Sequence, residues 1–153
     1  MAKIVERTDS KVAAVTGPIY LLLFPIAVVC FVGALLTDLT YASNAIIEWL
    51  NFSEWLIAAG LVFGGFAALA SLIELIVAAP LRSNIVGWGH IFLFWAAWIV
   101  ELFNAFVHSV DGWTAVVPTG LILSIIGSIL AVLAAATIFF VPVAWVPARE
   151  DRR

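Results

Sequence analysis

Four apolar segments, each long enough to cross a membrane, run through this 153-residue chain and decide what it can fold into. A helix needs about 20 apolar residues to cross a hydrocarbon core of about 30 Å. The segments lie at about 17–39, 53–79, 86–108 and 118–146. The chain is 65% hydrophobic and 11% charged, whereas soluble domains are roughly 45–50% apolar. We therefore expect an all-α membrane protein with no room for a soluble catalytic domain.

The connections between the segments predict how the helices are ordered. Pro80 in the second connection cannot continue a helix, and Asp111-Gly112 in the third is a turn pair. Because short links make consecutive helices antiparallel neighbours, we predict an antiparallel up-down-up-down four-transmembrane-helix bundle as a single domain over 17–146. The longer first connection contains AIIEWL. We interpret it as a cap on the bundle end or along the outer membrane surface, with a partner-binding helix as the alternative.

The basic residues predict the orientation of the bundle. All seven lie in the tail 1–16, the second connection and the tail 147–153, which a four-helix bundle places on one side: Lys3, Arg7, Lys11, Arg82, Arg149, Arg152 and Arg153. The other side has acidic residues and no Lys or Arg, together with candidate interfacial tryptophans at 49, 55 and 113. By the positive-inside rule both tails are cytoplasmic. The first segment exceeds a signal-peptide core of roughly 7–15 residues, so we expect it to be retained.

The third segment, GHIFLFWAAWIVELFNAFVH, carries four polar residues in an otherwise apolar stretch: His90, Glu101, Asn104 and His108. At about 100° per residue, all four project within a sector of about 60° on one helix face. We call this face the polar stripe. Ionisable groups are costly in lipid, so the stripe is expected to face the bundle interior or a partner chain.

Small residues line one face of two other segments, which favours close helix packing. They are Gly60, Gly64, Ala67, Ser71 and Ala78 in the second segment, and Gly120, Ser124, Gly127, Ser128 and Ala131 in the fourth. Glu74 shares the face of the second segment and, in an antiparallel hairpin, lies at the depth of His90. We predict a Glu74–His90 hydrogen bond, with Arg82 in the turn as a competing partner for Glu74.

The sequence offers little support for a metal or haem site. Cys30 is the only cysteine, so neither an intrachain disulfide nor a multi-cysteine metal site is possible. His90 and His108 are 18 residues apart, about 27 Å along a helix, so one chain cannot bring both to one iron. No metal site is predicted. We interpret His90 as a hydrogen-bonded interior residue and His108 as an interfacial residue.

Two functional hypotheses remain open for the polar stripe. A quinone needs an apolar slot with a few hydrogen-bonding groups, and Trp95 and Trp98 provide aromatic walls near Glu101; a cofactor site would use these three residues and His90. A proton pathway would run through Glu101, Asn104 and Glu74. It would have to bridge about 16 Å between His90 and Glu101. Structural hydrogen bonding between helices is favoured over either.

The chain resembles a family of small four-helix bacterial membrane proteins, domain of unknown function family twenty-two thirty-one. The residues that carry the resemblance lie between about 17 and 146: Gly17-Pro18, Phe24-Pro25, Thr37-Asp38, Glu74, Arg82, His90 and Asn104. It implies a bacterial inner membrane and an association with membrane-anchored redox enzymes. The family often has His-Pro at the first motif and a histidine before Phe-Pro, where this chain has Gly17 and Leu23. That departure weakens a haem hypothesis.

We therefore expect an integral inner-membrane structural or anchoring subunit that is not catalytic on its own, with a polar stripe that stabilises the bundle or a partner interface. One alternative is a haem- or quinone-binding subunit of a membrane redox system. Another is a small transporter or proton pathway. The expected partners are the lipid bilayer and either a membrane subunit or a second copy of the chain, and no feature points to nucleic acid.

Overall fold

The computed structural model describes residues 18–77, 85–110 and 112–138, and this part of the chain is helical. Its elements are α1 (Pro18–Asn44), α2 (Ile47–Val77), α3 (Ile85–His108), the short α4 (Trp113–Val116) and α5 (Thr119–Ile138). Four spans are long and apolar enough to cross a membrane: Ile19–Asn44, Ile47–Ile73, Gly87–His108 and Trp113–Ile138. The predicted all-α, four-span membrane fold is confirmed. The tails 1–16 and 147–153, Arg82 and the predicted end of the last helix lie outside the described residues.

The turn between α1 and α2 is tighter than the sequence suggests. Thr37 and Thr40 donate to carbonyls one turn back, so these polar residues remain inside α1. The helix then ends in a left-handed residue, Ala45 (φ 56°), whose N–H donates to the Tyr41 carbonyl. Asn44 Oδ1 accepts the N–H of Ile46, and α2 begins at Ile47. Most of the AIIEWL segment is thus the first turn of α2, continuous with a membrane-spanning helix.

Two helix pairs form the bundle. α1 packs most extensively on α2, and α3 on α5, while α1 and α5 join the pairs and the α2–α3 interface is smaller. Close approach depends on small residues: a Cβ built at Gly60 would lie 2.5 Å from the Phe31 ring. Many large apolar side chains are exposed on the outer surface, as contact with acyl chains requires, and they include Trp55, Phe92 and Phe106.

Polar side chains meet near both ends of the bundle. Near the start of α1, which we call the terminal end, Tyr20 and Thr137 contact His90. Near the end of α1, which we call the turn end, Ser53, His108 and Ser124 contact Asp38. Residues from the start of one helix and the end of the next therefore lie together, as alternating helix directions require.

Candidate functional site

All four residues of the polar stripe lie inside the bundle. The exposed fractions are 1% for His90, 0% for Glu101, 0% for Asn104 and 1% for His108. His108, interpreted from sequence as an interfacial residue, is thus as buried as His90. The stripe does not form one continuous chain of hydrogen bonds. Glu101, Asn104 and His108 join a network at the turn end, and His90 belongs to a separate cluster at the terminal end.

Asp38 is the centre of the turn-end network. Its Oδ1 accepts the Ser53 hydroxyl of α2 and lies 3.0 Å from His108 Nε2 of α3. Its Oδ2 accepts the Ser124 hydroxyl of α5 at 2.5 Å. The carboxyl group is fully buried. A single carboxyl group on α1 is therefore bonded to all three other membrane-spanning helices.

The contacts of His108 show how its protons are arranged. Nδ1 lies 3.1 Å from the backbone carbonyl of Asn104, and a carbonyl only accepts, so Nδ1 carries a hydrogen. Nε2 faces Asp38 Oδ1, and one further proton lies between them. Whether that proton lies on the imidazole or on the carboxyl group, the Asp38–His108 pair has no net charge. A neutral pair is the form that a membrane interior tolerates best.

Asn104 extends the network towards the middle of α3. Its amide Nδ2 donates to Ser124 Oγ at 2.8 Å and to Glu101 Oε2 at 3.0 Å. Two buried atoms, Glu101 Oε1 and Asn104 Oδ1, have no hydrogen-bond partner among the described residues. We define the buried polar network as Asp38, Ser53, Glu101, Asn104, His108 and Ser124.

Two glycines of α5 make room for polar side chains of α3. A Cβ at Gly127 would overlap the Glu101 carboxyl group, and a Cβ at Gly120 would lie 2.7 Å from His108 Cε1 and overlap the Ala115 carbonyl. The sequence suggested only close helix packing for these small residues. In the structure they also accommodate the carboxyl group of Glu101 and the imidazole ring of His108.

His90 forms the second cluster, with Tyr20 and Thr137. Nδ1 lies 2.8 Å from the Ala134 carbonyl and 2.9 Å from Thr137 Oγ1. Because the carbonyl only accepts, Nδ1 carries a hydrogen, and the Tyr20 hydroxyl, 2.6 Å from Nε2, donates to that atom in the neutral ring. The side chain of the predicted partner Glu74 and the whole of Arg82 lie outside the described part of the chain. The Glu74–His90 bond stays a prediction.

Trp95 and Trp98 connect α2 and α3. The Trp98 indole N–H donates to the Leu61 carbonyl at 3.0 Å, and the Trp95 indole N–H lies 3.4 Å from Ser71 Oγ. A Cβ at Gly64 would lie 2.9 Å from the Trp98 ring, so the indole packs directly on α2. The two side chains proposed as walls of a quinone slot thus form part of the α2–α3 contact.

Sequence reasoning missed the partners of the polar stripe. The sequence places Asp38 near the end of the first segment, among the acidic residues of the outer side, and does not link Ser53, Ser124, Tyr20 or Thr137 to either histidine. The depth of each residue in the membrane could have indicated these contacts. In an antiparallel bundle, Asp38 and Ser124 lie at the same depth as the end of the third helix. No three His, Cys, Asp or Glu side chains are grouped as metal ligands in the described part of the chain.

The comparison with known families agrees with this architecture. Over residues 16–143 the chain matches the model of a family described as a predicted membrane protein, DUF2231. No curated protein and no solved structure matches it with significant similarity. The matched residues include all four membrane-spanning helices and both polar clusters. The chain therefore belongs to the DUF2231 family of predicted membrane proteins.

Proposed function

We propose that this protein is a structural or anchoring subunit of a membrane assembly and that the buried polar network holds its four helices together. The observation that carries the proposal is the set of contacts made by Asp38 to Ser53, His108 and Ser124, one on each of the other helices. The polar side chains of α3 at this end are buried inside the bundle, which leaves its apolar outer surface for lipid and a partner subunit.

The energetics favour such a role for buried polar side chains. Lipid is as apolar as leucine, so helix association in a membrane depends on close packing and interhelical hydrogen bonds. Such bonds contribute about 0.6 kcal/mol on average and up to about 1.7 kcal/mol. A carboxyl group that bonds three helices at once makes several of these contributions, and its loss leaves its partners buried without the acceptor that they share.

The hydrogen-bond pattern gives little support to a proton pathway. Proton relay needs groups that both accept and donate a proton. Asn104 Nδ2 donates in both directions, to Glu101 and to Ser124, and an amide nitrogen does not accept. The side chain thus interrupts a relay between Glu101 and Asp38. A second interruption is the distance of about 16 Å along α3 between Glu101 and His90.

The cofactor alternatives also compete with contacts inside the bundle. An iron ligand at His90 Nε2 would displace the Tyr20 hydroxyl, and a ligand at Nδ1 would displace the Ala134 carbonyl. A quinone between Trp95 and Trp98 would compete with the indole contacts to α2. The anchoring role requires none of these bonds to break.

The proposal includes a location in a bacterial inner membrane with both tails cytoplasmic. In the sequence, all seven basic residues precede α1, follow α5 or lie between α2 and α3, and the positive-inside rule favours the cytoplasm for such segments. Reporter fusions at each tail test the orientation. Reporter activity on the cytoplasmic side at both tails is expected, and an external signal from either would contradict it.

The function is tested on the purified protein alone and in its native membrane. We expect no Soret band in air-oxidised or dithionite-reduced protein, no quinone in its organic extract and no proton flux in proteoliposomes. We also expect a complex larger than the isolated bundle when native membranes are gently solubilised. A haem band lost in His90→Ala, or a flux lost in Glu101→Gln, with the fold intact in each case, would overturn the proposal in favour of a redox or transport function.

A further inference from the structure

A surface groove lies on the outer face of α2 at the turn end, away from the buried polar network. Its volume is about 210 Å³, and its lining residues are Glu48, Asn51, Phe52 and Trp55. We call this the headgroup groove. The positions are spaced three, four and seven residues along one helix, so the groove runs roughly parallel to the helix axis. Phe52 and Trp55 are open on this face, with 57% and 76% of their surface exposed.

The groove extends from the polar edge of the membrane towards its apolar interior. Glu48 lies in the first turn of α2, and Trp55 is seven residues further on, about 10 Å along the axis at 1.5 Å per residue. The headgroup layer is about 5–7 Å thick on each side of a bilayer. If Glu48 lies in this layer, Trp55 lies close to the hydrocarbon boundary. A phospholipid likewise changes from a charged headgroup at one end to apolar acyl chains at the other.

Glu48, the one charged residue that lines the groove, favours a cationic headgroup. Glu48 is exposed, and no Lys or Arg lies among the described residues, so the described bundle offers this carboxylate no basic side chain. The faces of exposed Trp and Phe rings also attract cations. Phe52 is positioned by the neighbouring Trp49 ring, with centroids 6.1 Å apart. An anionic headgroup would instead meet a carboxylate.

We propose that the headgroup groove binds a phospholipid with a primary ammonium headgroup, of which phosphatidylethanolamine is the common form. A primary ammonium donates three hydrogen bonds, and the Glu48 carboxylate and Asn51 amide oxygen are acceptors of the kind it needs. A quaternary ammonium has no hydrogen to donate and would use only the aromatic faces. The acyl chain would continue past Trp55 along the apolar surface of α2.

Native mass spectrometry of the detergent-purified full chain tests this site. Phosphatidylethanolamine, phosphatidylcholine and phosphatidylglycerol with identical acyl chains are added in equal amounts, and the bound lipid is counted. We expect phosphatidylethanolamine to be retained about three-fold over either competitor, the size of one exposed hydrogen bond or ion pair. Glu48→Gln should remove this preference, whereas Trp55→Leu should lower the retention of both ammonium lipids relative to phosphatidylglycerol. Glu54→Gln, the same charge change on the same helix outside the groove lining, should keep it.

Glu48 and Trp55 are exposed and Glu54 is partly buried, and the thermal unfolding of each variant verifies that the bundle is intact. Equal retention of phosphatidylethanolamine and phosphatidylcholine, lost together in Glu48→Gln, would show a general ammonium site and overturn the choice of a primary ammonium. Equal retention of all three lipids, or a preference that survives Glu48→Gln, would overturn the site itself.

Discussion

The two polar clusters of this bundle use different chemistry at opposite ends of the same helices. At the turn end, two carboxyl groups, two hydroxyl groups, an amide and an imidazole form one network across four helices. At the terminal end, His90 is held by a phenol, a threonine and a carbonyl from two helices. Each of the two oxygens of a carboxyl group can accept more than one hydrogen bond, so the group can join several helices, whereas each imidazole nitrogen is a single donor or acceptor. The turn end should therefore contribute more to stability.

The largest expected effect comes from removing the centre of the turn-end network. Asp38→Ala leaves His108, Ser53 and Ser124 without their shared acceptor inside the bundle. A buried polar group left unsatisfied costs about 1–3 kcal/mol, so losing an acceptor that several partners share should cost about 3–5 kcal/mol. We expect a loss of this size in the free energy of unfolding, measured by denaturant titration in mixed micelles. If the loss is no greater than that of Tyr20→Phe, the turn end does not contribute more to stability than the terminal end.

Filling the space beside Glu101 should have the next largest effect. Gly127→Ala places a methyl group where the Glu101 carboxyl group lies, and overpacking typically costs about 1–3 kcal/mol. Gly89→Ala is the matched control, since a Cβ there meets nothing within 4 Å. If the clash with the carboxyl group is the cause, the double variant Gly127→Ala/Glu101→Ala should lose less stability than the sum of its single variants. If the two losses of stability simply add, the clash with the Glu101 carboxyl group is not the cause of the effect of Gly127→Ala.

At the terminal end, Tyr20→Phe removes one hydroxyl from His90 Nε2 and keeps the aromatic ring in the core. A buried hydrogen bond contributes about 0.5–1.5 kcal/mol, and we expect a loss in that range in the same unfolding titration. A much larger loss would place the principal interhelical connection at His90. The comparison between the ends would then be reversed.

The smallest effect is expected for Glu101→Gln. The amide of glutamine has nearly the shape of the carboxyl group and retains an acceptor for Asn104 Nδ2. We expect the fold to be kept with a loss below about 1 kcal/mol, checked by circular dichroism and thermal unfolding. A collapse of the bundle would mean that the charge or proton of Glu101 is itself required. Glu101, rather than Asp38, would then be the residue on which the buried polar network depends.

The fold could be predicted from the sequence because the features that determine it are local and depend on residue type. Four apolar segments and short connections require four helices, and helical periodicity places His90, Glu101, Asn104 and His108 on one face without any knowledge of the neighbours.

The partners of that face depend on register between helices, which no local pattern contains. Asp38 was assigned to a helix end near 39, but hydroxyl-to-carbonyl bonds carry α1 on to Asn44. This extension of about 7–8 Å leaves Asp38 inside the bundle, where it meets His108. The third helix ends at His108 as predicted, and the ring is buried because Asp38, Ser53 and Gly120 of the other helices lie against it. Similarly, Gly120 and Gly127 face side chains of another helix, which their spacing alone does not reveal.

The most direct test of the account is a double-mutant cycle between Asp38 and His108. The free energy of unfolding is measured for the wild type, Asp38→Ala, His108→Ala and the double variant in mixed micelles. The account predicts that the two residues are coupled, with an interaction energy of about 0.5–3 kcal/mol, as expected for residues in one network. Losses that simply add would show that Asp38 and His108 stabilise the protein independently, and would contradict a network centred on Asp38.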